Sequence, residues 1–352
     1  MNGKWSINSF MTSFLVSTKK YTYNEFEPFF TGPVKISLTK EAEKKIIRSH
    51  NNLLNNLKTE KPIYGVNTGY GNLSNISIQG KDLERLQINL IRSHASGIGD
   101  PLDLGIVRTI IFLKLLTFAK GYSGVSLELV KKIIQLFNKD IIPVIPKRGS
   151  VGASGDLAPL GHMALILIGE GEVFFQGKRL KTVSALKRVK IKPLSLKPKE
   201  GLSLINGTQV STAIAIKILL DGKNLLFSAD IAGALSVENS FSSRKVFQKR
   251  IHDLKQHPGQ RMSAKNIYRL LNKSQIVHSH NNCSKIQDPY SFRCIPHVHG
   301  ASRDMFANAV NIVNNEINSV SDNPLVFDEN LIVSSGHFHA EHLAMALDSL
   351  AF

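Results

Sequence analysis

Between Gly149 and Gly161 the sequence reads Gly-Ser-Val-Gly-Ala-Ser-Gly-Asp-Leu-Ala-Pro-Leu-Gly, small residues ending where an apolar helical pattern begins. Asp156 suits the N-cap of that helix, whose apolar continuation is Met163 to Ile168. The positive end of the helix therefore faces Ala153, Ser154 and Gly155. A glycine after Ser154 lets the backbone fold back on itself, because no Cβ resists unusual φ and ψ. In such a turn the Gly155 amide nitrogen can attack the Ala153 carbonyl carbon and close a five-membered ring. Loss of water, the Ser154 hydroxyl included, then leaves an exocyclic methylene, an electrophile made from the chain itself. Two simpler readings stay open on this stretch alone. Glycines before a helix N-terminus also bind anions, although the Gly-Lys-Ser/Thr ending of a P-loop and the spaced glycines of a dinucleotide fingerprint are missing. A serine nucleophile elbow needs G-x-S-x-G, and here glycine follows the serine directly.

Other residues offer chemistry that such an electrophile would need. Tyr64 opens a loop rich in glycine and asparagine, Tyr64 to Asn72, where its phenol is either a partly buried packing group or a general base. His94 ends a helical pattern, which suits a cap or surface group as well as a ligand. Asn206 sits beside Gly207 in a break between apolar segments, either capping a helix or turning its amide into a site. Gln287, Tyr290 and Arg293 share one dense polar stretch, restrained by Pro289. There an arginine can clamp a carboxylate bidentately or form a surface ion pair. His278, His280 and Cys283 lack the compact spacing of a metal site, so no metal is expected.

The elements that must hold these groups are mainly helical. Thr39 caps a predicted helix running to Leu57, with Ile46, Ile47, Leu53 and Leu54 as its stripe. Helices follow over 81–97, 103–120 and 124–138, and Pro143 and Pro146 break the pattern ahead of the glycine loop. Val173 to Leu180 reads as a hairpin around Gln176-Gly177, and the basic stretch 181–199 as loops. Residues 200–240 are strongly helical, 243–273 polar and helical, and 274–286 a linker. A helix over 297–319, a turn at 322–324, a hairpin over 326–333 and a last helix from about 338 complete the chain. Residues 1 to about 40 show no clear pattern. The expected organisation is an N-terminal region, 1–200, with the Tyr64 loop and the ring-forming loop, then a helical bundle over 201–352.

With 352 residues and 42% apolar content, the chain can bury a large core. The net charge of +17 raises nucleic-acid binding. The charge is spread, however, and its densest stretch, Lys178 to Lys199, has no interleaved aromatics for base stacking, so no nucleic-acid partner is expected. Two cysteines, Cys283 and Cys294, read as reduced thiols. No apolar run reaches the roughly 20 residues of a membrane span. The N-terminal apolar cluster around Phe10 to Leu15 is interrupted by Ser and Thr and lacks a cleavage site. A cytoplasmic protein with no membrane partner is expected.

Taken together, the motifs resemble the aromatic amino-acid ammonia-lyases, most of all their histidine-type members. The matches are Tyr64 to Gly71, Asn89 to Gly97, Gly149 to Pro159, Leu204 to Gln209, Gln287 to Cys294, Asn318 to Leu325 and Phe338 to Glu341, in family order. The resemblance implies a mainly α, histidase-like bundle assembled as a homotetramer, with each active site built from several subunits. It implies that Ala153, Ser154 and Gly155 become a methylidene-imidazolone (MIO) group, with no diffusible cofactor. In that family's scheme Tyr64 takes the substrate β-proton and His94 contacts the side chain. Asn206 and Gln287 orient the MIO, Arg293 binds the α-carboxylate, Tyr290 lines the site and Phe338 shapes it. The Ser93-His94 pair points to L-histidine as substrate and trans-urocanate and ammonia as products. A tyrosine or phenylalanine lyase, a 2,3-aminomutase and a catalytically inactive homologue are the alternatives. His337 stands where many histidine-type members have Asn, and His297, His299 and Arg303 alter the segment after Arg293. The family's C-terminal helical region, with a further active-site glutamate, is expected to be missing from a shortened chain.

Overall fold

The computed structural model describes residues 11–59, 61–78, 80, 82–280 and 284–352. They form two compact units, one from Met1–Ile216 with Asn314–Ala344, the other from Lys217–Val313 with Met345–Phe352. Helices dominate both, and among the described residues no strand exceeds five residues.

The first unit is organised on the helix Leu104–Ala119. It is apolar on every side, and all residues from Thr109 to Ala119 are buried, the pattern of a core helix. Phe112 packs its ring within 5.8 Å of Phe14, Tyr21, Phe26 and Phe29. Those four rings come from the segment that sequence pattern left unassigned. It forms a parallel pair, Thr12–Val16 beside Val34–Leu38, whose order comes from contact with a distant helix. Asn318 anchors the same segment, accepting from Tyr21 N at 2.9 Å and donating to Tyr21 O at 2.7 Å.

Local signals place several elements well. Thr39 Oγ1 accepts from Ala42 N at 3.3 Å and starts the helix Lys40–Leu57. Its buried stripe is Ala42, Ile46, Ser49 and Leu53, while Ile47 and Leu54 are 42% and 38% exposed. The stripe follows a spacing of three and four, and its neighbours one residue on rotate out of the core. The hairpin Glu172–Phe175 with Lys178–Lys181 turns at Gln176 and Gly177, with φ of 51° and 72°. Those angles suit a two-residue hairpin turn that matches strand twist.

Four elements differ from expectation. The basic stretch contains a helix, Thr182–Arg188, because Thr182, Ala185 and Leu186 find a buried face. The linker contains Gln275–Ser279, capped by Ser274 Oγ, which accepts from Val277 N at 3.1 Å. The helix expected from 297 begins at Tyr290 and continues through Pro296 to Ile317. The last helix is Glu341–Ala351, so Phe338 precedes it. The apolar stretch 200–239 is also long and apolar enough to cross a membrane, and an 18-residue apolar window of it is 78% buried within the protein, as in a core helix.

The second unit centres on Val237, Phe247, Ile267 and Leu271. Beside them Asp230 is nearly fully buried and saturated. Ser263 Oγ, Asn266 Nδ2 and Arg303 Nη2 donate to it at 2.7, 2.8 and 2.6 Å, and His299 Nδ1 lies at 3.0 Å. Those contacts hold its carboxyl below the usual range against the opposing effect of burial. His299 and Arg303 therefore serve this cluster. Among the described residues no group of three or more His, Cys, Asp or Glu could hold a metal ion. Cys283 lies outside the described residues, and Cys294 is a free thiol.

Candidate active site

The glycine loop is a tight double turn. Ala153 N donates to Val151 O at 2.8 Å and Gly155 N to Gly152 O at 3.0 Å, with Gly152 and Gly155 at φ of 72° and 83°. Ala153 and Ser154 are exposed while Gly155 and Asp156 are buried. A Cβ on Gly155 would meet Gly207 O at 2.8 Å and Phe338 O at 3.1 Å. Glycine is therefore required there for both its φ and its space.

Asp156 stands at the N-cap position of the helix Leu157–Leu165, but its side chain makes no bond to that helix. The carboxylate reaches another helix, Gln209–Asn239. Oδ2 accepts from Val210 N and Ser211 N, both at 2.8 Å, and Oδ1 from Ser211 Oγ at 2.7 Å and Ser150 Oγ at 2.6 Å. An anion at a helix N-terminus satisfies its free N–H groups and its dipole. Asp156 N also donates to Gly207 O at 2.8 Å, so the loop is clamped to the turn after Asn206. Asp156→Ala removes four accepted hydrogen bonds. It is expected to lower stability by roughly 3 kcal/mol, read as a fall in Tm.

Asn206 is the C-cap of the helix Glu200–Ile205. Its Oδ1 is buried and has no hydrogen-bond partner. Its backbone carbonyl accepts from Lys114 Nζ at 2.6 Å, and the same ammonium donates to Ser203 O at 3.0 Å. Lys114 is fully buried, and burial pulls its pKa down to about 7 against the attraction of Asp322 and Asp156. Lys199, also buried, pairs with Asp322 at 3.2 Å. Above pH 10.5 Lys114 is neutral whether the chain is folded or not. As pH falls from 10.5 to about 7 only the unfolded chain takes up the proton, so stability is lost across that window. Lys114→Met is expected to flatten this dependence by roughly 4 kcal/mol between those limits, measured as unfolding free energy against pH.

A cleft of about 660 Å³ in the first unit brings together Tyr64, His94, Ser154, Asn206 and Phe338. Tyr64 Oη accepts from Gly71 N at 3.4 Å. His94 Nδ1 lies 2.9 Å from Leu90 O. Ser93 Oγ also lies 3.0 Å from Nδ1; because the carbonyl can only accept, the tautomer with the proton on Nδ1 suits both contacts and leaves Nε2 as the acceptor. His162 Nε2 accepts from Gly97 N at 3.0 Å, and burial lowers its pKa, so it acts as a neutral support. Gln287 and Arg293 lie in the second unit, lining a separate hollow of about 280 Å³ with Asp288. Arg293 Nε donates to Asp288 O at 2.9 Å, and Tyr290 is 75% exposed. These three are not among the residues that line the Tyr64 cleft.

Sequence pattern missed several cleft residues. Tyr70, Leu202 and Asn323 line it. Asn323 Oδ1 accepts from Ser335 N at 2.6 Å, and Ser321 Oγ from Thr208 N at 2.9 Å. The density of short polar groups from Ser319 to Asn323 was the available signal.

A family model described as Aromatic amino acid lyase matches residues 22–352. The chain belongs to that family. It is 48% identical to a histidine ammonia-lyase of Myxococcus xanthus over 83% of its own length and 58% of the relative's. With a histidine ammonia-lyase of Vibrio cholerae it shares 44% identity over 97% of its length and 67% of the relative's. Among solved structures, histidine ammonia-lyase from Trypanosoma cruzi superposes with a TM-score of 0.86 at 33% identity, covering 97% of this chain and 64% of that one. Pantoea agglomerans phenylalanine aminomutase gives 0.88 at 30% identity, covering 96% and 69%. The chain thus spans about three fifths of the length of the Myxococcus lyase.

Proposed function

We propose that this lyase-family chain acts as a histidine ammonia-lyase, eliminating ammonia from L-histidine to give trans-urocanate. The observation that carries the reading is one cleft lined by Tyr64, His94, Ser154, Asn206 and Phe338, in a chain 43–49% identical to proteins of that name. Ammonium leaves poorly from an unactivated carbon, and the β-hydrogen of histidine is weakly acidic. The reaction needs a covalent electron sink for the amine and a base at the β-carbon.

The residues fit a ring at positions 153–155. The loop is already folded back, Gly155 has no room for a Cβ, and the Asn206 Oδ1 acceptor is buried without a partner. An MIO there supplies an electrophilic methylene to the substrate amine. Tyr64 takes the β-proton. The acceptor Nε2 of His94 receives the imidazole N–H, which favours histidine over a phenyl ring. Gln287, Tyr290 and Arg293 complete the site from neighbouring subunits of a cytoplasmic homotetramer, Arg293 holding the α-carboxylate. The exposed apolar residues Leu225, Phe227, Ile231 and Leu235 of one long helix support such an assembly.

A tyrosine or phenylalanine lyase or aminomutase is the second reading, favoured by the likeness to tyrosine aminomutase from Streptomyces globisporus at a TM-score of 0.87 and 32% identity. Incubation with each of the three amino acids decides. Urocanate alone is expected, cinnamate or coumarate without urocanate contradicts it, and no product supports an inactive homologue.

A further inference from the structure

Gln87 lies on the helix Asp82–His94 and is fully buried. Its amide joins three segments. Nε2 donates to Gly65 O at 3.1 Å and to Tyr70 Oη at 3.3 Å, and Oε1 accepts from Leu202 N at 3.1 Å. The amide orientation follows from chemistry, because a flipped amide would set N–H against the Leu202 N–H. Tyr70 Oη also donates to Gly65 O at 3.2 Å. The carbonyl just after Tyr64 is therefore held from two sides. Leu202 belongs to Glu200–Ile205, the helix that ends in Asn206.

Packing leaves this junction little freedom. A Cβ on Gly201 would meet Gln87 O at 2.6 Å and Gln87 Cα at 3.0 Å. A Cβ on Gly65, at φ of +66°, would meet the Tyr70 ring at 2.6 Å and the Leu202 side chain at 2.7 Å. Both glycines allow backbones to close on the Gln87 amide.

We propose that Gln87 is a positioning residue that latches the Tyr64 loop to the helix ending in Asn206. It sets the distance between the group that removes the proton and the wall that holds the electrophile. The inference rests on the roles given above to Tyr64 and Asn206. A glutamine that merely fills the core would stabilise the unit evenly, whereas a latch acts on one loop.

The test is hydrogen exchange by mass spectrometry together with urocanate kinetics on the whole chain. In Gln87→Leu the bonded amides of Val66, Gly69 and Leu73 are expected to exchange about tenfold faster or more, with Leu104–Ala119 unchanged. The kcat is expected to fall about 100-fold with KM within about threefold, while the mass change of ring closure is retained. Gln87→Glu keeps the acceptor for Leu202 N but loses both donations. It should release the loop while leaving residues 200–205 protected, and it carries the test if Gln87→Leu does not fold. Unchanged loop exchange, or equal acceleration in both segments, overturns the proposal. If the unsubstituted chain makes no urocanate, the roles of Tyr64 and Asn206 fail, and the exchange experiment still decides whether Gln87 is a latch.

Discussion

Replacing Ser154 with alanine is expected to abolish urocanate formation, by about 1000-fold or more, while leaving the fold intact. Ser154 is exposed at the cleft, and substitutions at such positions shift stability by only about 0.5 kcal/mol. The chemical effect is large because the serine hydroxyl is the group lost when the methylene forms. Alanine has no leaving group there, so no electrophile can arise. The substrate amine then remains a poor leaving group, whatever Tyr64 does at the β-carbon. Activity against L-histidine and a thermal melt, measured together, separate this from simple unfolding. A variant that melts normally and still makes urocanate at the original rate would remove the loop from the chemistry.

Tyr64→Phe is expected to reduce kcat by about 10²–10⁴-fold, the usual contribution of a positioned general base, without preventing ring formation. Two tyrosines line the cleft, with ring centroids 6.1 Å apart. Their surroundings assign them different tasks. Tyr70 donates its hydroxyl proton to Gly65 O, and burial pushes its pKa up, away from what a base needs. Tyr64 Oη instead accepts a long bond from Gly71 N, and an accepted bond suits the unprotonated oxygen that a base presents. Tyr70→Phe should therefore retain most of the chemical step, while Tyr64→Phe should not. Comparable losses in both variants would show that the loop, rather than one phenol, is the sensitive element.

The sequence carried more of the site than of its supports. Tyr64, His94, Ser154 and Asn206 stand in stretches that resemble the family's motifs, and the structure gathers them on one cleft. Helix caps and glycine turns were also legible, since Thr39 and Gln176-Gly177 act on their immediate neighbours. The groups that hold the cleft were not. Lys114 sits in an apolar helix and reaches the carbonyl of Asn206 92 positions later. Gln87 reaches Leu202 115 positions away. Asp156 looked like the cap of its own helix and caps another 54 positions on. Such contacts follow from chain topology, which local periodicity does not encode. The same limit explains Gln287, Tyr290 and Arg293. A motif can suggest that three polar groups share one site, but not which unit of the fold presents them.

The central claim is that Ala153, Ser154 and Gly155 close into an electrophilic ring, and the mass of the purified chain tests it most directly. Intact-mass measurement, with the change mapped to the peptide containing residues 149–161, is expected to show a loss of two waters that disappears in Ser154→Ala. A chain of unmodified mass, with that peptide recovered intact, would contradict the account.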